Sequence, residues 1–308
     1  MSNGVSVRFV RSSWLWLLVG VWLTSCVPPP VSPLPTPAPF RSVLPPPERR
    51  AQIYFPWFPT SASVYGRGLG ATYSGIAACA DAQQVGAKWL YDWSATPPLC
   101  PGILSLPMVW SRDLTTCPAI GPGNPVLLWN EPANTAQWGG QPISPEEAIA
   151  LTYHITEVCY PSRTFGTPAQ YNGYVGLAWM MAWWDGYVAR YGAPPRVVVM
   201  ALHCYGGTSE ACEIFVREGL AWAQARNLSV LLTEWGVPPP FAGGALQSLA
   251  ESDRLYHWLV RQPGLVGEAF FASRIVGDEA WSFAPPVTSL LEPLTGTPTV
   301  WGRWYAAH

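Results

Sequence analysis

The stretch PVLLWNE, residues 125–131, is a run of apolar residues that stops at an asparagine and a glutamate. An uninterrupted hydrophobic run of this length is typical of a strand covered on both faces, as in a parallel sheet flanked by helices. Similar runs recur along the chain, and they predict seven further strands: QIYFPWF (52–58), AKWLYDW (87–93), LSLPMVWS (104–111), RTFGTP (163–168), RVVVMALHCY (196–205), LSVLLTEWG (228–236) and GEAFFAS (267–273).

Helical patterns separate several of these strands. The clearest, SPEEAIALTYHITEVCY (144–160), begins with a capping box in which Ser144 is the N-cap, Pro145 follows it and Glu147 lies three residues after the cap. We predict no clear first helix in residues 59–86. Three further helices are predicted, GLAWMMAWWDGYVARYG (176–192), SEACEIFVREGLAWAQARN (209–227) and LQSLAESDRLYHWLVRQ (246–262), and the first of them contains Trp179, Trp183 and Trp184, which we assign to packing.

The alternation of strands and helices predicts an α/β fold, a single (β/α)8 TIM barrel over residues 51–308. A segment of this size can bury one large core and matches the usual length of such a barrel. An open, doubly wound sheet is the alternative, but the sequence has no glycine-rich fingerprint for binding a phosphate.

The N-terminus reads as a targeting segment. Two arginines precede the short apolar stretch WLWLLVGVWL (14–23), and the residues LTSC that follow end at Cys26. This pattern is typical of a secretory signal, and the last four residues resemble a bacterial lipobox, in which the cysteine is lipidated. We therefore predict a lipoprotein signal peptide over residues 1–25 and lipidation of Cys26. An uncleaved N-terminal membrane anchor is the alternative.

A proline-rich segment follows. Ten of the twenty-one residues from 27 to 47 are proline, a composition that cannot bury a core and favours extended polyproline geometry. We predict that residues 26–50 are a lipidated stalk, which could hold the domain up to roughly 65 Å from a membrane. The expected location is outside the cytoplasm, either anchored in the cell envelope or secreted.

Composition narrows the classes of function. Charged residues make up 12% of the chain and the net charge is −2, so the sequence lacks the basic surface that nucleic-acid binding requires. Aromatic residues are abundant, with 18 tryptophans among them. Many must pack in the core, but so many in a secreted domain also suit stacking on sugar rings.

Besides Cys26 the chain has six cysteines, at positions 79, 100, 117, 159, 204 and 212. Outside the cytoplasm an even set suggests disulfides, although six cysteines allow fifteen pairings. Cys204 and Cys212 are the pair we expect first, because they are close enough in sequence to close one loop. A zinc site on His203 and Cys204 is an alternative that no neighbouring CxxC motif supports. We predict no metal and no cofactor.

Two glutamates end predicted strands. Glu131 ends the fourth strand, and Glu234 ends the seventh. In a (β/α)8 barrel the active site lies at the C-terminal ends of the strands, so these carboxylates should face the same mouth. Glycoside hydrolysis needs such a pair, one acting as a proton donor and the other as a nucleophile or base. Either residue alone could instead be a cap or an ion-pair partner.

The motifs around these residues resemble the retaining glycoside hydrolases of clan A, and most narrowly glycoside hydrolase family 128, which are secreted endo-β-1,3-glucanases. One departure is Ala133, where an acidic residue is expected after N-E-P. The resemblance covers most of residues 52–305 and is carried by short motifs: KWLYDWS (88–94), LPMVWS (106–111), LLWNEP (127–132), SPEEAIAL (144–151), GTPA (166–169), LHCY (202–205), LLTEWG (231–236) and LLEPLTGTPTVWGRWY (290–305).

The resemblance implies roles for individual residues. Glu131 would be the acid/base, Glu234 the nucleophile, and Asn130 a donor to the sugar 2-hydroxyl. His203 and Tyr205 would hydrogen-bond the nucleophile or the substrate, although His203 could also be a satisfied histidine of the barrel mouth. Aromatic residues at strand ends could form the sugar platform, although each alone could equally be packing: Trp57, Tyr91, Trp93, Trp110 and Trp281.

We therefore predict a retaining, endo-acting glycosidase that cleaves a β-linked polysaccharide, with β-1,3-glucan favoured. Its expected partners are that polysaccharide and the membrane bound by the lipid anchor, and we expect a monomer that binds no nucleic acid. The alternatives are a clan A enzyme for mannan, xylan or galactan, and a sugar-binding surface lipoprotein without catalysis. A structural envelope protein would leave the paired carboxylates unexplained.

Overall fold

The computed structural model describes residues 65–72, 75–171, 174–275 and 288–308, all within one compact unit, Pro47–His308. Eight strands form a single sheet in which each neighbouring pair is parallel. They are β1 (Gly66–Gly70), β2 (Trp89–Tyr91), β3 (Leu104–Ser105), β4 (Val126–Asn130), β5 (Phe165–Ala169), β6 (Val197–Tyr205), β7 (Ser229–Gly236) and β8 (Leu265–Phe270).

The sheet curls until its two ends meet. Its strand order is β3-β2-β1-β8-β7-β6-β5-β4, so β3 and β4 are the terminal strands. The segment after β3 joins them: Met108 bridges Leu127 in parallel, and the amide of Leu127 donates to the carbonyl of Pro107 at 2.8 Å. This arrangement confirms the predicted α/β barrel, with the C-terminal ends of all eight strands at one mouth.

Among the described residues, helices follow six of the strands, all but β2 and β3. They are α1 (Ile76–Gln84), α2 (Pro145–Tyr153), α3 (Tyr174–Tyr191), α4 (Ser209–Gln224), α5 (Pro239–Ala242), α6 (Ala245–Leu259) and α7 (Val300–Ala307). A 3₁₀ turn, Thr135–Trp138, lies between β4 and α2, and a π-helical stretch, His154–Cys159, continues α2. The predicted capping box is present, because Ser144 Oγ accepts a hydrogen bond from the amide of Glu147.

The start of the barrel differs from the prediction. Strand β1 and helix α1 both lie in residues 59–86, where no clear element was predicted. The sequence GRGLG of β1 contains no hydrophobic run. The space beside its central glycine, Gly68, is filled by the side chain of Trp89 from the neighbouring strand β2. A Cβ atom on Gly68 would lie 2.1 Å from the indole of Trp89. Each of the other seven predicted strands overlaps an observed strand.

The core has an inner and an outer layer. Inside the barrel, buried side chains such as Trp89, Leu127 and Leu231 pack together, with Trp93 and Trp110 at the edge of this cluster. The outer layer lies between the strands and the helices and includes the three tryptophans of α3 that were assigned to packing, Trp179, Trp183 and Trp184. Burial of these apolar faces supplies most of the driving force for folding.

Three disulfides among the described residues each tie a loop or a strand to a helix. Cys79 of α1 is bonded to Cys100, and Cys117 of the β3–β4 loop is bonded to Cys159. The expected pair Cys204–Cys212 is confirmed and links the end of β6 to α4. Since Cys204 is oxidised in this bond, it is not available as a thiolate ligand for zinc.

Several predictions fall outside the described residues. These are the signal peptide at 1–25, the lipidated Cys26 and stalk at 26–50, the strand at 52–58, and the side chains of Trp57 and Trp281. In the part of the chain that the structure describes, none of the helices has the length and apolar character needed to cross a bilayer.

Candidate active site

Glu131 begins the loop after β4 in a strained backbone conformation. Its φ of 37° lies in the left-handed region, which non-glycine residues seldom adopt. The amide of Glu131 donates to the carbonyl of Ala169 at 2.8 Å, which ties the turn to β5. Strain of this kind is found where a side chain must be held in a particular direction. Here the carboxylate of Glu131 is directed into the barrel mouth and is 6% exposed.

Both oxygens of the Glu131 carboxylate have partners. His203 Nδ1 lies 2.9 Å from Oε1. Two side-chain amides donate to Oε2, Asn134 from 2.8 Å and Gln137 from 2.5 Å. The amide donors come from the loop that carries the 3₁₀ turn after β4, so this loop fixes the orientation of Glu131.

Glu234 lies at the end of β7 and is 4% exposed. Its Oε1 accepts hydrogen bonds from the hydroxyl of Tyr91 at 2.9 Å and the indole of Trp93 at 3.0 Å. The hydroxyl of Tyr205 donates to Oε2 at 2.5 Å. Burial, followed by the charge of Glu234, raises the pKa of both tyrosines well above its usual range, so both remain neutral donors.

His203, near the end of β6, connects the two glutamates. It is fully buried, and its Nδ1 lies 3.4 Å from Oε2 of Glu234 as well as 2.9 Å from Glu131. One carboxylate oxygen of each glutamate and a ring nitrogen of His203 all lie within 4.8 Å of one another. The two carboxyl groups are therefore as close as those of retaining glycosidases, which stand about 5–5.5 Å apart.

The shared imidazole changes the titration of both glutamates. Burial raises the pKa of Glu131, but the hydrogen bond and charge of His203 and the Asn134 amide outweigh it, so the net pKa is lowered. For Glu234 burial prevails over the lowering by His203, and the net pKa is raised. Burial lowers the pKa of His203, but the charge of Glu234 and the contact with Glu131 raise it overall.

These directions are the reverse of what the predicted roles require, because an acid/base needs a raised pKa and a nucleophile must be ionised. At Glu234 burial is the largest effect, whereas at Glu131 burial is outweighed by His203, whose Nδ1 is closer to Glu131 than to Glu234, and by the Asn134 amide. Since the three groups interact strongly, their protons belong to the cluster rather than to one residue.

Asn130 is turned toward Gln137. Its Nδ2 donates to Gln137 Oε1 at 2.8 Å, while its Oδ1 is buried and has no hydrogen-bond partner among the described residues. Gln137 therefore bridges Asn130 and Glu131 with a single side-chain amide. The predicted donor of Asn130, its Nδ2, is thus already bonded to Gln137, and its donation to the sugar 2-hydroxyl stays a prediction.

Two groups of aromatic rings flank the carboxylates. Near Glu234, Phe271 packs edge-on against Trp93 at 5.9 Å and against Tyr205 at 5.7 Å between ring centroids. Near Glu131, Trp110 and Trp138 have centroids 5.0 Å apart, and the Trp138 indole donates to the carbonyl of Asn130 at 3.1 Å. Both groups are partly exposed at the mouth, with the exception of Phe271, which is buried.

The structure thus brings together most of the predicted site residues, namely Tyr91, Trp93, Trp110, Asn130, Glu131, His203, Tyr205 and Glu234. Four neighbours were not predicted: Asn134, Gln137, Trp138 and Phe271. The first two carried a signal, because an Asn followed three residues later by Gln approximates a capping box, and Asn134 does cap the 3₁₀ turn. Ala133, the departure from the N-E-P motif, packs against the outer core instead.

The chain resembles known proteins in both sequence and fold. Residues 68–305 match the family model described as glycosyl hydrolase catalytic core. No curated protein is a significant match to the chain.

Among solved structures, a family 128 subgroup I endo-β-1,3-glucanase from Amycolatopsis mediterranei, in complex with laminaritriose, shares 26% identity. That match covers 79% of this chain and 99% of the other, with a TM-score of 0.60.

Two more distant structures show the same fold. A curdlan-specific exo-β-1,3-glucanase of family 128 from Blastomyces gilchristii is 21% identical, covering 79% of this chain and 98% of the other with a TM-score of 0.58. An endo-β-1,3-glucanase of the same family from Sorangium cellulosum is 20% identical. That match covers 79% of this chain and 98% of the other, with a TM-score of 0.60.

Proposed function

Because the chain belongs to the glycosyl hydrolase catalytic core family, we propose that it is a retaining, endo-acting glycosidase that cleaves β-1,3-glucan with Glu131 and Glu234. The observation that carries the mechanism is the pair of buried carboxylates within 4.8 Å at the barrel mouth. This spacing suits a nucleophile that reaches the sugar carbon directly. An inverting enzyme needs about 6.5–9.5 Å to admit a water molecule.

We assign the nucleophile to Glu234. Its three side-chain donors hold the carboxylate in place and stabilise its ionised form. In the first step an oxygen of Glu234 bonds to the anomeric carbon while the glycosidic bond breaks. Glu131 gives a proton to the departing oxygen. In the second step Glu131 takes a proton from water, the water oxygen bonds to the anomeric carbon, and the bond to Glu234 breaks.

We assign the proton supply to the Glu131–His203 pair. In the substrate-free site the raised pKa of His203 and the lowered pKa of Glu131 favour a proton on the imidazole side of this pair. Transfer from Nδ1 to Oε1 over 2.9 Å leaves a protonated Glu131 and a neutral imidazole. The pair then has the form that the first step requires.

The two groups of aromatic rings beside the glutamates determine which way the sugar chain lies across the site. Since Glu131 protonates the departing oxygen, the sugars of the leaving group lie on its side, against Trp110 and Trp138. The sugar that is attacked lies against Glu234, beside Trp93 and Tyr205. Rings of this kind offer apolar faces to the C–H faces of a sugar, with polar groups on their edges.

The substrate class is inferred from the structural relatives. The Amycolatopsis enzyme, at 26% identity, is an endo-β-1,3-glucanase whose complex contains laminaritriose. A glutamate-to-glutamine mutant of the same enzyme, 25% identical to this chain, was solved with laminarihexaose. These complexes favour a β-1,3-glucan chain over mannan, xylan or galactan.

We further propose that the enzyme acts outside the cytoplasm as a lipoprotein. The support is the sequence alone: the apolar stretch at 14–23 ending in LTSC, followed by the proline-rich segment up to residue 50. Three disulfides suit an oxidising compartment. We propose that it works as a monomer.

The test is a substrate screen with laminarin, curdlan, mannan, xylan and galactan, measuring new reducing ends. We expect release from the two β-1,3-glucans only, and random shortening of long chains rather than release of glucose alone. Glu131→Gln and Glu234→Gln should abolish release while laminarin oligosaccharides still bind. Binding without hydrolysis by the unmodified protein would instead identify a sugar-binding protein.

A further inference from the structure

A cluster of two histidines and an aspartate lies outside the barrel, where α6 meets the end of α7. Asp253 and His257 are one turn apart on α6, and His308 directly follows α7. Oδ1 of Asp253 lies 3.2 Å from Nε2 of His308 and 3.8 Å from Nε2 of His257. One donor atom of each residue lies within 4.8 Å of the other two. The cluster shares no residue with the site at the barrel mouth, and the proposed hydrolysis does not use it.

We propose that this cluster is a Zn²⁺ site. Zinc binds imidazole nitrogen and carboxylate oxygen at about 2.0–2.2 Å in a tetrahedron, which places any two ligand atoms about 3.3 Å apart. The two short distances from Asp253 Oδ1 bracket this value. The rings of His257 and His308 have centroids 5.0 Å apart and are inclined by 62°, so the two imidazoles are close neighbours on the same side of α6 and α7 as Asp253.

A neighbouring residue already orients two of the three ligands. The carbonyl of Trp304 lies 2.8 Å from His308 Nδ1 and can only accept, so Nδ1 carries a proton. That leaves His308 Nε2, on the other side of the ring, to bind a metal. The indole of Trp304 donates to Asp253 Oδ1 at 2.8 Å. Such outer contacts fix the ring tautomer and the carboxylate direction in zinc proteins.

The exposure of the cluster suits binding from solution. The side chains of Asp253, His257 and His308 are 43%, 49% and 22% exposed, so an ion can reach all three and a water molecule can fill the fourth position. The bound ion would join α6 to the end of α7. Tyr305 of α7 bonds the carbonyl of Gly68 in β1 at 2.8 Å. We therefore expect zinc to stabilise the closure of the barrel wall by binding the folded state.

Two other groups in the described residues could compete for zinc. The cluster of Cys117, His154 and Cys159 has the right elements, but its cysteines are bonded to each other. The active-site cluster of Glu131, His203 and Glu234 is also compact. The experiment must therefore separate the proposed site from the barrel mouth.

The test is calorimetric titration of the purified protein with ZnCl₂ at neutral pH, with the melting temperature followed in parallel. Because loss of an outer contact alone costs 10- to 100-fold in metal affinity, loss of a ligand should cost roughly 100-fold or more. We expect this loss in His257→Ala, His308→Ala and Asp253→Asn. The matched control His154→Ala should bind zinc as the unmodified protein does, and so should Glu131→Gln.

Zinc should also raise the melting temperature of the unmodified protein and of His154→Ala, but not that of His257→Ala. If His308→Ala does not fold, the exposed positions His257 and Asp253 decide the question. No zinc binding by the unmodified protein would overturn the proposal, since the cluster would then be a set of ion pairs only. Binding that is lost in Glu131→Gln and kept in His257→Ala would also overturn it, by placing the ion in the barrel mouth.

Discussion

His203 Nδ1 lies 2.9 Å from Oε1 of Glu131, and both side chains are buried at the mouth of the barrel. The same nitrogen lies 3.4 Å from Glu234, so one imidazole serves two carboxylates. Its positive charge lowers the pKa of each glutamate, against the effect of burial. His203 is therefore the residue through which the two catalytic candidates influence each other.

Replacement of His203 by alanine should move the pH dependence of hydrolysis. Without the imidazole, burial and the charge of Glu131 raise the pKa of Glu234 further, so a higher pH is needed to ionise the nucleophile. In a plot of kcat/KM against pH, the acidic limb should shift to higher pH. The maximum of kcat/KM should fall by about 10- to 100-fold, because loss of a hydrogen bond to a charged group costs free energy of that size. An unchanged acidic limb would contradict this role, and His154→Ala is the control.

Gln137 should act as a positioning residue. Its amide joins Asn130 and Glu131 through bonds of 2.8 and 2.5 Å, so Gln137→Ala frees both side chains at once. We expect kcat on laminarin to fall by about 10- to 100-fold with little change in melting temperature. The control is Gln141→Ala, an exposed residue of the same loop whose backbone alone makes the contacts found here. Equal effects of the two substitutions would exclude a specific role for Gln137.

Trp138 should contribute to binding of the leaving-group sugars. Trp138→Ala removes one ring of the Trp110–Trp138 pair, and we expect KM for laminarin oligosaccharides to rise roughly 2- to 12-fold. Trp138→Phe, which keeps a ring, should lose less. A dinitrophenyl β-laminaribioside has no sugar on the leaving side, so its KM should not change. Equal losses on both substrates would place Trp138 outside the proposed subsite.

Glu268 should make the stability of the fold depend on pH between about 4.5 and 8. This buried residue of β8 accepts a hydrogen bond from the Trp235 indole at 2.6 Å and lies 3.0 Å from the Tyr305 hydroxyl, and burial raises its pKa to about 8. As pH rises from about 4.5 to 8, the unfolded chain loses this proton while the folded chain keeps it, which favours unfolding. The loss of stability is at most about 5 kcal/mol over this window.

Glu268→Gln is neutral at every pH and should remove this loss. Its melting temperature relative to the unmodified protein should therefore increase between pH 5 and pH 8. Well below pH 4.5 the difference should be small, because Glu268 carries its proton in the folded and in the unfolded chain. A difference that stays constant across the range would show that Glu268 does not titrate in this window. Glu292→Gln, at a surface position between β8 and α7, is the control.

The strands that carry the site could be predicted because each is covered on both faces. The runs that lead to Glu131, His203 and Glu234 are mainly hydrophobic, and the barrel brings their ends together. Strand β1 could not be found in this way. Its Gly68 leaves room for the indole of Trp89, so its contribution to the core is made by a side chain of another strand.

The loops and the electrostatics were the parts that the sequence did not predict. Gln137 and Trp138 reach the site because a 3₁₀ turn folds back on β4, and no periodicity marks such a turn. The pKa values of Glu131 and Glu234 depend on burial and on how far His203 Nδ1 lies from each carboxylate. A difference of half an ångström in space is not encoded in any local pattern.

The central claim is that Glu234 attacks the sugar and Glu131 supplies the proton. The most direct measurement is trapping of the covalent intermediate with a dinitrophenyl 2-deoxy-2-fluoro-β-laminaribioside, followed by proteolysis and mass spectrometry. The fluorine slows both steps, while the activated leaving group lets the first one proceed without an acid. We predict one label per chain, on Glu234 in the sequence LLTEWG. A label on Glu131, or turnover without any label, would contradict the assignment.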